Sequence, residues 1–159
     1  MKVLVINGPN LNMLGKRDAD QYGVETLDQI SHRISAKAAE LDVNVEFFQS
    51  NHEGSIIDFL QSNFENASGI LINPGALTHY GISLRDCLSD VKIPFIEIHL
   101  SDIHEREEFR RHSMISDLCL AQIKGHRGDG YIMGLERLVD HLRAPVSYTH
   151  LTLPTTPYV

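Results

Sequence analysis

Cysteine is scarce in this chain: only Cys87 and Cys119 occur among 159 residues. They form neither a CxxC pair nor a zinc-ligand spacing. They read as inert thiols, not as a disulfide framework or a metal knuckle. Long apolar runs are also missing. The opening MKVLVING carries one lysine and an apolar run that stops at Asn7. No stretch reaches the roughly 18 residues that a membrane span needs. Neither a secretory leader nor a membrane partner is expected, and a cytoplasmic location is. Positive charge is in deficit, with 14 Lys and Arg against 21 Asp and Glu and a formal charge of −7. This excludes an overall basic footprint for nucleic acid. It leaves room for a local cluster of Arg and His around a small anion.

The familiar cofactor signatures are absent as well. Gly8 to Gly15-Lys16 resembles a phosphate loop, but six residues separate the glycines and Arg17 stands where Ser or Thr would hold magnesium. Gly128-Asp129-Gly130 comes late and lacks the spacing of a dinucleotide fingerprint. No adjacent acidic pair follows the first apolar run, which argues against a phospho-acceptor domain. No HExxH occurs, His99 and His104 are poorly spaced for a metal, and no metal site is expected. None of Lys2, Lys16, Lys37, Lys92 and Lys124 falls inside an apolar strand run where desolvation would favour a Schiff base.

Hydrophobic residues make up 42% of the chain, enough for a globular core. Apolar strand patterns at 2–6, 43–48, 69–72, 93–98 and 118–123 alternate with helical segments near 27–41, 54–66, 80–89 and 105–113, and a last helix near 131–143. Thr26 with Gln29 suits a capping box at the first of these helices. Leu27, Ile30, Ile34, Ala38 and Leu41 then line one face. Such alternation predicts an α/β sandwich with a five-stranded parallel sheet covered on both faces. Residues 1–144 form one domain on this reading. The stretch 145–159, rich in Pro and Thr, reads as an irregular added tail, a cloning or assembly scar, and Tyr148 and His150 within it are assigned no function.

A parallel sheet binds ligands beyond the carboxyl ends of its strands, and polar residues crowd there. The first strand runs into Asn7-Gly8-Pro9-Asn10-Leu11-Asn12, followed by a long polar loop with Arg17 and Tyr22, the kind of connection that often acts as a lid. The third runs into Asn73 and His79. The fourth carries Glu97 and His99 and leads to Leu100, Ser101, His104, Arg106 and Arg110. Taken singly, Asn10 and Asn12 also serve as turn caps, Arg17 as a solvated charge, Tyr22 as a surface aromatic and His99 as a structural histidine. Their joint placement at three strand ends favours a site. At this level a flavin-binding module and a noncatalytic small-ligand-binding domain remain alternatives to an enzyme.

The motifs NGPNLNMLGKR (7–17) with Tyr22-Gly23, QSNHEG (49–54), INPGALTH (72–79) and EIHLSDIHEREEFRRHS (97–113), in this order and spacing, resemble type II 3-dehydroquinate dehydratase over about residues 1–143. The resemblance implies a flavodoxin-like three-layer sandwich, a dodecamer of four trimers, no metal or organic cofactor, and conversion of 3-dehydroquinate to 3-dehydroshikimate and water. It implies Tyr22 as general base with Arg17 as its activating cation, Asn10 holding the water that stabilises an enolate, and His99 as general acid oriented by Glu97. Asn73, His79 and Arg110 match groups that bind substrate hydroxyls. Leu100 and Ser101 match backbone positions that receive the carboxylate, Asp86 a residue offered to the neighbouring subunit's site, and Arg106 a position near the same cluster. The chain departs from the family at Asp18 to Gln21, Tyr80-Gly81, Asp102 and Lys124 to Gly128, which bears on lid closure rather than on the main catalytic set.

The chemistry fits these residue types. Elimination needs a base for the proton beside a ketone, donors for the enolate oxygen and an acid for the departing hydroxyl. Free tyrosine, with a pKa of about 10, is a poor base unless a guanidinium favours its phenolate. Histidine donates protons well near neutrality. Glu97 and His99 share one alternation phase on a strand, so they face the same side.

Overall fold

A computed structural model describes residues 1–145. The expected tail at 145–159 therefore lies, beyond Pro145, outside the described residues. Five strands form: β1 (Lys2–Asn7), β2 (Asn44–Gln49), β3 (Gly69–Asn73), β4 (Phe95–His99) and β5 (Ala121–Lys124). All neighbours pair in parallel, in the order β2-β1-β3-β4-β5. This is the flavodoxin-like doubly wound order, as expected.

Burial on both faces explains the unbroken apolar runs. Val3, Val5, Leu71, Ile96 and Ile98 pack on one side with α2 (Leu27–Glu40) and α5 (Asp129–Arg143), through Ile30, Ile34, Leu135 and Leu138. Leu4, Ile6, Ile70, Ile72 and Phe95 pack on the other with α3 (Glu53–Asn63) and α4 (Ile82–Val91), through Ile56, Leu60, Leu84 and Leu88. The capping box is present: Gln29 N–H donates to Thr26 Oγ1 (3.1 Å) and Thr26 N–H to Gln29 Oε1 (2.9 Å). A short helical turn, α1 (Ala19–Tyr22), sits inside the expected lid, with Asp18 accepting from the Asp20 N–H.

Two expectations need correction. Residues 105–113 do not form a helix but contribute to two 3-10 turns, Ile103–Glu105 and Glu108–Arg110. The segment has no apolar stripe to bury: Ile103 is buried, but Phe109 is 66% exposed. Arg111 Nε also donates to the Arg106 carbonyl at 2.9 Å, and Arg106 is extended. The fifth strand starts at Ala121, three residues later than the apolar run at 118–123 suggests, because Ile115 to Leu118 close a turn first.

The loops after β1 and β3 are in backbone contact. A Cβ on Gly8 would stand 2.2 Å from the Pro74 carbonyl oxygen, so only glycine allows this approach. The loop after β2 fastens two further pieces. Gln49 Nε2 donates to the Gly8 carbonyl (3.2 Å), and Asn51 Oδ1 accepts from the N–H of Asn10 (2.9 Å), which is left-handed at φ 69°. Glu53, in the first turn of α3, accepts from the Leu84 N–H at 2.9 Å. It thereby caps α4, whose own N-cap residue, Gly81, has no side chain. Glu53→Ala should destabilise the protein by about 1 kcal/mol, and Glu53→Gln by less, read as a shift in urea midpoint at constant slope. Equal midpoints for Glu53→Ala and the unaltered chain would deny Glu53 this role.

Candidate active site

The carboxyl ends of β1, β3 and β4 surround a cavity of about 150 Å³. Asn10, Arg17, Tyr22, Asn73, His79 and His99 line it, with Leu100, Ser101, Arg106 and Arg110 completing the rim. Drug-sized ligands occupy about 300–1,000 Å³, so this space suits a smaller molecule and does not suit a flavin nucleotide. No Asp, Glu or Lys is among the lining residues, whereas three arginines are. An acidic chain thus carries a locally cationic hollow. Ten of the eleven residues expected from sequence relate to it directly: nine line it and Glu97 stands behind His99. Asp86 does not; it is exposed on α4.

Tyr22 lies at the end of α1, between two guanidinium groups. Arg17 stacks on its ring, with Cζ 3.8 Å from the ring centroid. The group that reaches the hydroxyl is Arg106: its Nη1 donates to Tyr22 Oη at 2.9 Å and lies 3.4 Å from Ser101 Oγ. Arg106 Nε is buried without a hydrogen-bond partner. The sequence places Arg106 near the cluster but gives no sign of its contact with the tyrosine.

His99 ends β4 and turns one nitrogen away from the cavity. Its Nε2 lies 2.5 Å from Glu97 Oε2. Glu97 is fully buried and also accepts from Gln122 Nε2 (2.9 Å) and Ser113 Oγ (3.0 Å). Burial pushes its carboxyl up, but the bonds from His99, Gln122 and Ser113 together outweigh burial and hold it below the ordinary carboxylate value. An ionised carboxylate only accepts, so His99 Nε2 carries the proton of that bond and Nδ1 is left for a ligand. Ser113 and Gln122 are absent from the sequence-derived set. Gln122 is brought there by the strand register, which pairs it with Glu97, and Ser113 by the loop between β4 and β5.

His79 is held the other way round. Its Nδ1 lies 2.8 Å from the His112 carbonyl, which fixes the proton on Nδ1 and frees Nε2. Burial, with the nearby His99 and Arg110, lowers its pKa and so favours the neutral ring. Arg110 is oriented by Glu107 Oε2 at 3.2 Å. Among the described residues, no group of three or more His, Cys, Asp or Glu side chains is arranged to hold a metal ion.

Comparisons with known proteins place the sequence in a family. The sequence matches the family described as Dehydroquinase class II over residues 1–139. It is 48% identical over 142 residues to the 3-dehydroquinate dehydratase of Halothermothrix orenii, covering 89% of this chain and 96% of that protein. With the 3-dehydroquinate dehydratase of Roseiflexus castenholzii it shares 51% over 139 residues, covering 87% and 88%. The crystal structure of type II dehydroquinase from Butyrivibrio crossotus superposes with a TM-score of 0.85 at 47% identity, covering 87% of this chain and 97% of the other. With a family match over residues 1–139 and this identity across nearly its whole described length, the chain belongs to the class II dehydroquinases.

Proposed function

We propose that this chain is a 3-dehydroquinate dehydratase that eliminates water from 3-dehydroquinate through an enolate, without metal or Schiff base. One observation carries the reading: a tyrosine, a carboxylate-backed histidine and three guanidiniums face one small cavity whose lining has no carboxylate. The substrate is a small carboxylate, and cations of this kind attract it.

Tyr22, as phenolate, takes the proton from the CH₂ beside the ketone, and the electron pair of that C–H bond moves into the enolate. Arg106 faces the phenolate charge at hydrogen-bond distance, and Arg17 faces the ring. Asn10, directly or through a water, donates to the enolate oxygen. The enolate then expels the tertiary hydroxyl, to which His99 gives the proton on Nδ1, and water departs. Glu97, kept ionised by its three donors, neutralises the imidazolium that must exist before this transfer. The proton gained by Tyr22 and the one lost by His99 cancel, so solvent exchange resets the site. Asn73, His79 and Arg110 bind substrate hydroxyls, and the backbone at Leu100 and Ser101 receives the carboxylate. No lysine lines the cavity to form an imine.

The assembly we infer is a dodecamer of four trimers acting in the cytoplasm. Tyr80, Ile82 and Phe109 are 61%, 60% and 66% exposed, and Ile82 shares a helix face with Asp86. A neighbour packed there would cover apolar surface and bring Asp86 towards its own cavity. Among the described residues no helix is long and apolar enough to cross a membrane. The two cysteines are free, which suits a reducing compartment.

Tyr22→Phe should lower kcat by about 100-fold or more while leaving the thermal midpoint in place; near-normal enone formation in an ultraviolet assay would remove Tyr22 as the base. Arg106→Gln and Arg17→Ala should each cost about tenfold or more in kcat, whereas a rise in KM alone would make the altered arginine a recognition group. Glu97 has a depressed folded pKa, so the stability it contributes is present above its unfolded value of about 4.3 and is lost as pH falls through the lower folded value. Urea midpoints taken downward from pH 6 should therefore fall more steeply for the unaltered chain than for Glu97→Gln. Sedimentation should give a dodecamer, and a fully active monomer would exclude a cross-subunit role for Asp86.

A further inference from the structure

Asn7 and Asn73 end neighbouring strands in register, on the face covered by α5. Tyr131, in the first turn of α5, is fully buried and places its hydroxyl between them. It donates to Asn7 Oδ1 at 2.5 Å and accepts from Asn73 Nδ2 at 3.0 Å. The Gly75 N–H donates to Asn73 Oδ1 at 3.1 Å. The chain of bonds has only one possible direction. A backbone N–H can only donate, which makes the atom it meets on Asn73 the oxygen. The other end of that amide is then the NH₂, so Tyr131 Oη is its acceptor, and the single hydroxyl proton is left for Asn7.

We propose that Tyr131, supported by Asn7, is a positioning residue: it engages one N–H of the Asn73 amide in the core and so aims the other at the cavity that Asn73 lines. The inference rests on Asn73 binding a substrate hydroxyl, as proposed for the dehydratase. Burial drives the Tyr131 hydroxyl's pKa far above the ordinary tyrosine value, so it keeps its proton and stays a donor throughout the working range. The close approach that lets the ring reach the strand ends is made by Gly134 on the same helix, where a Cβ would stand 2.6 Å from Ile98 Cδ1. No surface strap or lid takes part, so this positioning persists whatever the state of α1.

Tyr131→Phe removes one oxygen and keeps the ring. It should lower kcat/KM for 3-dehydroquinate by about tenfold, mainly through KM, with the far-ultraviolet circular dichroism and the oligomeric state unchanged. The decisive measurement is the cycle with Asn73→Ala. If Tyr131 acts through Asn73, the phenylalanine substitution has no further effect on kcat/KM in the Asn73→Ala background. The same tenfold loss in both backgrounds, or a Tyr131→Phe enzyme within about twofold of the unaltered one, overturns the inference while leaving Asn73 as a binding residue. An Asn73→Ala enzyme with unchanged kcat/KM instead overturns the binding role of Asn73, and the inference falls with it. Should Tyr131→Phe not fold, Asn7→Ala taken through the same cycle replaces it: no further effect beside Asn73→Ala supports the positioning role, and an equal loss in both backgrounds overturns it.

Discussion

A carboxylate taken out of water costs several kcal/mol unless its lone pairs are met by donors, and Glu97 is fully buried beneath the carboxyl end of a parallel sheet. Its three donors come from three places: His99 two residues along the same strand, Gln122 across the β4–β5 pairing, and Ser113 from the loop between them. This one requirement constrains much of the surrounding architecture. A register slip of one residue between β4 and β5 would set Ala121 or Ile123 beside Glu97 and strand the charge. The connection from β4 to β5 must return to Glu97 for Ser113 to reach it, and the same connection supplies Arg106 and Arg110 to the cavity. The carboxylate that fixes His99 thus also ties together the segment that supplies the cations.

Those cations reverse the field of the molecule locally. The formal charge is −7, yet the cavity is edged by Arg17, Arg106 and Arg110. The acidic residues nearest to it are turned outward or engaged: Glu107 with Arg110 and Glu97 with its donors. Flanking Tyr22 with two guanidiniums serves two ends. Arg17 stacks on the ring, and the bond donated by Arg106 sets a positive group beside the oxygen. Arg17 and Tyr22 belong to the connection after β1, whereas Arg106 belongs to the connection after β4.

Periodicity made most of the fold legible. Strands buried on both faces give uninterrupted apolar runs, and α2 and α5 show a stripe that matches their contacts. It failed at 105–113, where a charged segment has the composition of a helix but no apolar face to dock, and its side chains serve the cavity instead. The site was legible wherever a residue touches the cavity itself, because Asn, Arg, Tyr and His at strand ends are conspicuous. The residues behind them were not. Ser113, Gln122, Tyr131 and Asn7 act on other side chains, and Asn51 on the Asn10 backbone, through pairings that only the folded chain creates, and each is an ordinary strand, loop or helix residue in sequence. Arg106 was visible as a charge, but its contact with Tyr22 joins residues 84 positions apart.

The neutral polar groups of the cavity share one property that the cations do not need. A guanidinium offers donors in several in-plane directions and is positive in all of them. An imidazole or a carboxamide can present either a donor or an acceptor, and the wrong choice is repulsive. At each such position the ambiguity is removed from behind: a carboxylate sets His99, the His112 carbonyl sets His79, and the Gly75 N–H with Tyr131 sets Asn73. Donors fixed in this way need no reorientation as charge develops on an enolate or a departing hydroxyl, and that is the main advantage of a protein site over water. The cost of burying Glu97 and the Tyr131 hydroxyl is thus the stability cost of settling those directions before any substrate arrives.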